Sequence, residues 1–310
     1  MELSKLKSVL IVRRNGLGDA VYTALAIKEL KKKYPDIKFA ILCSSYTKEI
    51  YNVLCPKIKK YVVEKEKYYG NFYGLFFHPI LKKIRKEKFD LAISSSGSYS
   101  SKSIYLLKST GAKKISAVPS TKDKFWNFFI DIKISIPKDE IHQIKKTYLI
   151  FKQNNLIFNI PKKFIPQKNV QHKILLCPQS SSEENQWKIE NWIEIYNKLK
   201  KTGEIVNICL PEKSVYRNFF YGKIKSPCNT KKLIALINNY DLIITQEGGI
   251  GHLAAIQKKN LIVLSNKNLR ERWLPWIEGV SLIESNGNIN DYNVDMIFRK
   301  LEKYLKKVMI

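Results

Sequence analysis

Asp241–Ser265 reads DLIITQEGGIGHLAAIQKKNLIVLS. The two apolar runs at its ends, 241–245 and 260–265, have strand length and none of the polar alternation of a half-wet sheet. Between them Gly248, Gly249 and Gly251 crowd into a turn that leads to a short helical stretch, 249–256. A plain surface turn needs less glycine than that. Strand, bare turn and helix start is how α/β proteins build an anion site: the free N–H groups of the first helical turn point at the ligand, and the helix dipole adds favourable potential. Glycine lets backbone approach a phosphate with no Cβ in the way. The turn lies at the carboxyl end of a strand, where open α/β sheets bind ligands. Glu247 and His252 flank it, and His252 either bonds a ligand or caps its neighbours. The plain alternative is a tight structural turn.

Outward from this stretch the same alternation covers the chain. Strands are expected at 8–14, 38–44, 59–64, 89–96 and 113–118, with helices at 19–33, 47–54 and 141–155. Tyr73, Phe76, Phe77, Ile80, Leu81 and Ile84 share one helical face. Residues 119–137 are irregular, and 156–173, with two prolines and many lysines, resembles a linker. Strands then return at 173–178 and 204–210, with helices at 188–200, 230–238 and 291–307. Strands alternating with helices predict parallel sheets covered on both faces. The expected organisation is two α/β halves, 1–165 and 166–310.

Composition sets bounds on function. The chain has 310 residues, 45% of them apolar, which suits two domains with real cores. Its N-terminus has too short an apolar run for a secretory signal, and no stretch approaches the roughly 18 apolar residues of a membrane span. A soluble cytoplasmic protein is expected. Five scattered cysteines without a CxxC pair fit neither a zinc site nor a disulfide framework, so buried reduced thiols are expected. The net charge is +28, from 55 basic and 27 acidic residues. Such a field attracts anionic partners: nucleic acid, an anionic membrane face or a phosphorylated substrate. Seven arginines among the basic residues argue against a sequence-specific nucleic-acid reader. A lysine-biased genome is the alternative source of the charge.

Two further motifs follow predicted strands. RRNGLGDAVYTALAIKEL places Gly16 and Gly18 after the first strand and Asp19 at the helix start. It lacks the third glycine of a dinucleotide fingerprint. Asp19 is either an N-cap or a carboxylate at the sheet's carboxyl edge, able to act as a general base. CPQSSSEENQWKIENW puts Ser180, Ser181 and Ser182 just past another strand, where hydroxyls can donate to phosphate. Trp187 and Trp192 are expected to pack the next helix.

These three motifs, in this order and spacing, resemble glycosyltransferase family 9, which includes the ADP-heptose:lipopolysaccharide heptosyltransferases. RERWLPW and IHQIKKTYLIF extend the likeness, which covers about residues 8 to 280. The resemblance implies a GT-B fold, two Rossmann-like domains facing across a cleft, with acceptor in the N-terminal half and nucleotide-sugar in the C-terminal half. It implies inverting, metal-independent transfer with no cofactor; the sequence has no DxD pair. Asp19 corresponds to the proposed base. Ser180, Ser181 and Ser182 match hydroxyls near the diphosphate, Glu247 an acid that contacts the sugar, and Gly248, Gly249, Ile250, Gly251 and His252 the diphosphate turn. Glu212 is a candidate for the ribose hydroxyls. Three departures stand out. Asn185 and Gln186 occupy the place of a basic residue, for which Lys188 is the possible substitute; Glu247 replaces an aspartate; and a proline is missing near Leu25.

ADP-heptose is therefore the first-choice donor and a lipopolysaccharide inner core or related surface glycan the acceptor. Alternatives are a UDP- or GDP-linked sugar, a protein acceptor, or a non-catalytic nucleotide- or nucleic-acid-binding protein. The acceptor implied is an anionic lipid-linked glycan at the cytoplasmic face of the inner membrane. Gly18, Lys57, Lys60 and Lys65 are its candidate contacts, and the lysines between 82 and 88 are candidates for either acceptor or lipid. FWNFFIDI, 125–132, is unusually apolar for an irregular region and suits a flap or a membrane contact.

Overall fold

A computed structural model of the chain describes residues 5–14, 16–64, 78–122, 124–137, 141–167, 173–178, 186–220, 224–266, 270–285 and 288–308. The chain divides into two compact units, Met1–Pro161 and Lys162–Ile310.

In the first unit β1 (Ser8–Val12), α1 (Leu17–Lys33), β2 (Lys38–Cys43), α2 (Ser45–Leu54) and β3 (Lys59–Val62) are followed by α3 (Pro79–Lys86), β4 (Leu91–Ser94), α4 (Ser101–Ser109) and β5 (Lys114–Ala117). A 3₁₀ turn (Phe125–Phe129), β6 (Ile132–Lys133) and α5 (Gln143–Lys152) complete it. The sheet order is β3-β2-β1-β4-β5-β6, and every described pairing is parallel.

The second unit repeats the plan. It contains β7 (Lys173–Cys177), α6 (Ile189–Lys201), β8 (Ile205–Cys209), β9 (Ile224–Lys225), α7 (Thr230–Asn238), β10 (Leu242–Gln246), α8 (Gly249–Ile256), β11 (Asn260–Asn266), α9 (Arg270–Trp273), β12 (Ser281–Ser285) and α10 (Val294–Val308). Its order, β12-β11-β10-β7-β8-β9, is the first sheet's order read from the other side. In both sheets the chain steps outward for three strands, returns to the middle and steps outward on the other side. This is the Rossmann strand order, and the reversal falls between β1 and β4 and between β7 and β10.

The apolar runs are central strands with both faces covered. On one face of the first sheet Leu10, Val12, Ala40, Leu42 and Ala92 pack with Leu81 and Ile84 of α3 and Ile104 and Leu107 of α4. Helix α1 packs on both α2 and α5. In the second sheet Ile174, Leu176, Ile244 and Ile262 pack with Trp187, Trp192 and Leu199 and with Ile297 and Leu301 of α10. The two tryptophan rings meet edge-on at 5.4 Å, so their place is the core, as expected. Cys43, Cys55, Cys177 and Cys209 are buried and unbridged, and burial raises the Cys43 and Cys55 thiols to about 12.

The structure departs from the expected pattern at its edges. Strands β6, β9 and β12 and helix α4 have no counterpart in the sequence reading, which assigns nothing between the expected strands at 89–96 and 113–118. Ser100 caps α4, accepting from Ser103 N at 3.3 Å. Part of the expected linker belongs to the second unit: Phe164 N donates to Trp276 O at 3.1 Å, and Glu278 N to Phe164 O at 2.7 Å. The helical face through Tyr73, Phe76 and Phe77 lies outside the described residues.

Glu87, just past α3, pairs with Lys38 and Lys59, which start β2 and β3. The two ammonium groups lower its carboxyl from 4.5 to about 2. A depressed carboxylate stabilises the fold above its unfolded value and loses that effect as pH falls through the folded value. Glu87→Gln should therefore lower the urea midpoint at pH 7, and the gap from wild type should close as the pH falls from 4.5 towards 2.

Candidate functional site

Both glycine turns sit at strand-order reversals. In the first unit β1 runs out through Arg13 and Arg14 to Gly16, which starts α1 at φ 73°, a left-handed conformation suited to glycine. A Cβ at Gly16 would stand 2.5 Å from Asp19 Oδ2, so glycine clears the space that the carboxylate occupies. Asp19 is not the N-cap; Gly16 holds that position, and Asp19 lies in the first turn. Its carboxylate pairs with Arg13, and Arg13 Nη1 donates to Ser95 O of the loop after β4 at 3.2 Å. Ser95 Oγ in turn meets Thr23 Oγ1 of α1 at 3.1 Å. The two loops that part at the reversal are thus tied together across it, and Asp19 is oriented by that tie. Lys146 of α5 is buried, with its Cδ 3.8 Å from where a Cβ on Gly97 of the same loop would stand.

In the second unit the corresponding tie is Gln246, the last residue of β10 and 1% exposed. Its Nε2 donates to Pro178 O, just past β7, at 2.8 Å, and its Oε1 accepts from Trp187 N. Gln186 Nε2 donates to the same carbonyl at 2.7 Å. Beyond Gln246 the chain turns through Gly248, at φ 154° and ψ −171°, a conformation essentially confined to glycine. Gly249 then opens α8, and no side chain caps it. The first-turn amides of Gly249, Ile250 and Gly251 therefore face the carboxyl edge without a side-chain acceptor from the cap. At Gly251 a Cβ would come within 3.1 Å of Pro275 Cγ and 3.6 Å of Thr245 Cγ2, so the glycine allows α8 to lie close on the sheet. Glu247 is half-buried, its N–H bonded to Leu264 O at 2.8 Å, and His252 is buried within α8.

The remaining candidates scatter. Glu212 is exposed on the turn after β8, at the same carboxyl edge. Lys188 is exposed before α6, its N–H held by Asn290 Oδ1 at 2.9 Å, and lines an open groove with Asn191 and Glu194. Gly18 is buried in α1. Lys57 comes before β3, on its amino side, while Lys60 is level with Ile41 of β2 and Ile11 of β1, inside the sheet rather than at its amino edge. Lys60 Nζ bonds Pro56 O at 2.9 Å and Ile58 O at 3.1 Å, and burial lowers its pKa. Ser180, Ser181, Ser182, Asn185 and Lys65 lie outside the described residues. His142 caps α5, its Nδ1 accepting from Ile144 N at 3.3 Å, and its ring packs on Tyr22 of α1. Among the described residues no group of three His, Cys, Asp or Glu could hold a metal ion.

Neither Arg13 nor Gln246 stands out as a site residue in the motifs. Arg13 shows only as a basic residue ending a strand, and Gln246 only as a polar residue closing an apolar run.

Comparison with known proteins fits this geometry. The family profile of glycosyltransferase family 9 (heptosyltransferase) matches residues 77–293, and the chain belongs to that family. Its fold is similar to that of the glycosyl transferase family 9 protein from Veillonella parvula, with a TM-score of 0.81 at 14% identity, covering 99% of both chains. It is also similar to Escherichia coli heptosyltransferase WaaC with ADP, with a TM-score of 0.74 at 16% identity over 96% of this chain and 99% of that one. The E. coli ADP-heptose lps heptosyltransferase II gives a TM-score of 0.73 at 14% identity over 97% and 99%. No curated protein sequence gives a significant match. The shared fold is the two-sheet, Rossmann-like GT-B architecture.

Gln246→Leu tests the second tie. It leaves the buried Trp187 N–H without its acceptor, while Pro178 O keeps Gln186, and should cost about 2 kcal/mol in denaturant unfolding. An unchanged stability would show that Gln246 does not hold the two loops.

Proposed function

We propose that this family 9 glycosyltransferase transfers a sugar, with inversion, from a nucleoside diphosphate donor on the second unit to a hydroxyl of an anionic lipid-linked glycan. ADP-heptose is the donor, and a lipopolysaccharide inner core or related surface glycan is the acceptor. One observation carries the reading. Each sheet puts a glycine turn at its strand-order reversal, one presenting an oriented carboxylate and the other an uncapped helix start.

The chemistry follows from those two edges. Asp19 takes the proton of the acceptor hydroxyl as that oxygen attacks C1 of the sugar. The bond from C1 to the diphosphate oxygen breaks, and its electron pair leaves with the nucleoside diphosphate. Attack opposite the leaving group inverts C1. The charge that develops on the diphosphate falls on the amides of Gly249, Ile250 and Gly251 and on the positive end of α8. Ser180, Ser181 and Ser182 add hydroxyl donors, Glu247 contacts the sugar, and Glu212 takes the ribose hydroxyls. Arg13 positions Asp19 through their ion pair. No step in this scheme calls on a metal.

The choice of nucleotide is supported by a solved structure of similar fold, the E. coli heptosyltransferase WaaC with ADP. A UDP- or GDP-linked donor is the second reading. It is favoured by Gln186, which brings no positive charge to the donor edge and donates instead to Pro178 O.

Asp19→Asn should lower kcat about a hundredfold or more, while nucleotide-induced thermal stabilisation is kept. Retained turnover would remove Asp19 as the base, and a product with the donor's anomeric configuration would overturn direct displacement. Stabilisation by ADP over UDP, GDP and CMP supports heptose transfer; a larger shift with UDP or GDP replaces the donor and keeps the mechanism.

A further inference from the structure

Sugar transfer makes no use of the aromatic 3₁₀ turn FWNFF, 125–129, in the crossover from β5 to β6. With three residues per turn, positions three apart fall in line. Trp126 and Phe129 form one line and pack on the core of the first unit, Trp126 meeting Tyr105 of α4 edge-on at 6.2 Å. Phe125 and Phe128 form another line, and they are 67% and 88% exposed. The turn is firmly held. Asn127 Oδ1 accepts from Ser120 N at 2.7 Å, and its Nδ2 donates to Ser120 O at 2.8 Å. Two phenylalanines are therefore presented to solvent by a backbone that is tied down on its inner side.

The described charge around them is mainly basic; Asp123, between Lys122 and Lys124 in sequence, lies outside the described residues. Helices α3 (PILKKIRK) and α4 (SKSIYLLKS), which cover this face of the sheet, contain no acidic residue, and neither does the turn. Lys82, Lys83, Lys86, Lys102 and Lys108 are exposed on the helices, and Lys122 and Lys124 just ahead of the turn. Lys108 Nζ lies 5.9 Å from the Phe129 ring centre. The neighbouring described acids are engaged: Glu87 with Lys38 and Lys59, Asp90 with Lys113 and Ser8, and Asp131 with the Ile115 N–H. Arg85, the arginine of α3, donates to Ser109 O at 2.9 Å.

We propose that this face docks on an anionic lipid bilayer, with Phe125 and Phe128 entering the boundary between headgroups and acyl chains and the lysines of α3 and α4 against the lipid phosphates. Peripheral binding needs both apolar insertion and electrostatic attraction, and each alone is weak. Each lysine near an anionic leaflet adds to the attraction, which falls off within a Debye length. Among the described residues no helix is long and apolar enough to cross a membrane, so these two terms are the ones this surface offers. The rings at 125 and 128 each stand edge-on to Phe129, at 5.6 and 5.7 Å, and form a projecting ridge. Single-stranded nucleic acid calls for a basic groove with exposed ring faces. The proposal rests on the transferase reading only in that a lipid-linked acceptor gives the docking its use.

The test is flotation of the full-length protein with vesicles of phosphatidylcholine, alone or mixed with phosphatidylglycerol, at physiological salt. Wild type should float only with the anionic vesicles. Phe125→Ser with Phe128→Ser should weaken that binding about tenfold or more, and Phe125→Trp with Phe128→Trp should keep it. The ADP thermal shift reports separately on the donor site and should be the same in all three proteins. Equal binding by the serine variant would reduce the surface to bulk charge and overturn the proposal. Absence of wild-type binding would overturn it too, as would single-stranded RNA that binds through the same two phenylalanines and displaces vesicles. A missing ADP shift alongside wedge-dependent flotation would contradict the ADP donor and leave the docking surface standing.

Discussion

At each strand-order reversal two parallel strands pass their chains to opposite faces of one sheet. In the second unit Trp192 of α6 packs in the cluster containing Ile244, whereas Gly251 of α8 lies towards Thr245 and Val263 on the other face. The loops after β7 and β10 must therefore part, and backbone polar groups open at the sheet edge. Both glycine turns and both side-chain ties sit at that gap. Gln246 ties the loops from below in the second unit, and Arg13 ties them in the first. The glycine turns beside them leave room for the Asp19 carboxylate in one case and an uncapped helix start in the other, where the proposed function puts the diphosphate.

The fold was legible because the central strands are buried on both faces. SVLIV, KILLC and LIITQ carry continuous apolar runs that hardly any other structure accounts for. The edge strands were not legible. Strands β6 and β9 are two residues long, and their strand character comes from pairing with β5 and β8. The aromatic turn at 125–129 fell in a stretch read as irregular, since a single 3₁₀ turn is too short to set up a period.

The site was legible where glycine marks it and hidden where it depends on distant partners. Arg13 meets Ser95 across 82 residues, and Gln246 meets Pro178 across 68. No local pattern announces such bonds. Lysines show the opposite failure. Lys57 and Lys60 lie among many others in sequence, yet Lys57 falls before β3 and the Lys60 ammonium turns back to Pro56 O and Ile58 O. Crowding along a chain says nothing about which end of a strand a charge occupies. The lysines of α3 and α4, by contrast, lie on helices without an acidic residue that cover the same sheet face as the aromatic turn.

The most direct measurement is amide hydrogen exchange of the full-length protein with and without saturating ADP. If the uncapped start of α8 takes the diphosphate, the amides of Gly249, Ile250 and Gly251 should slow by about tenfold or more, together with those around Trp187, while the loop at 95–100 stays unchanged. Slowing confined to residues 13–19 and 95–100, or none at α8, would contradict the account.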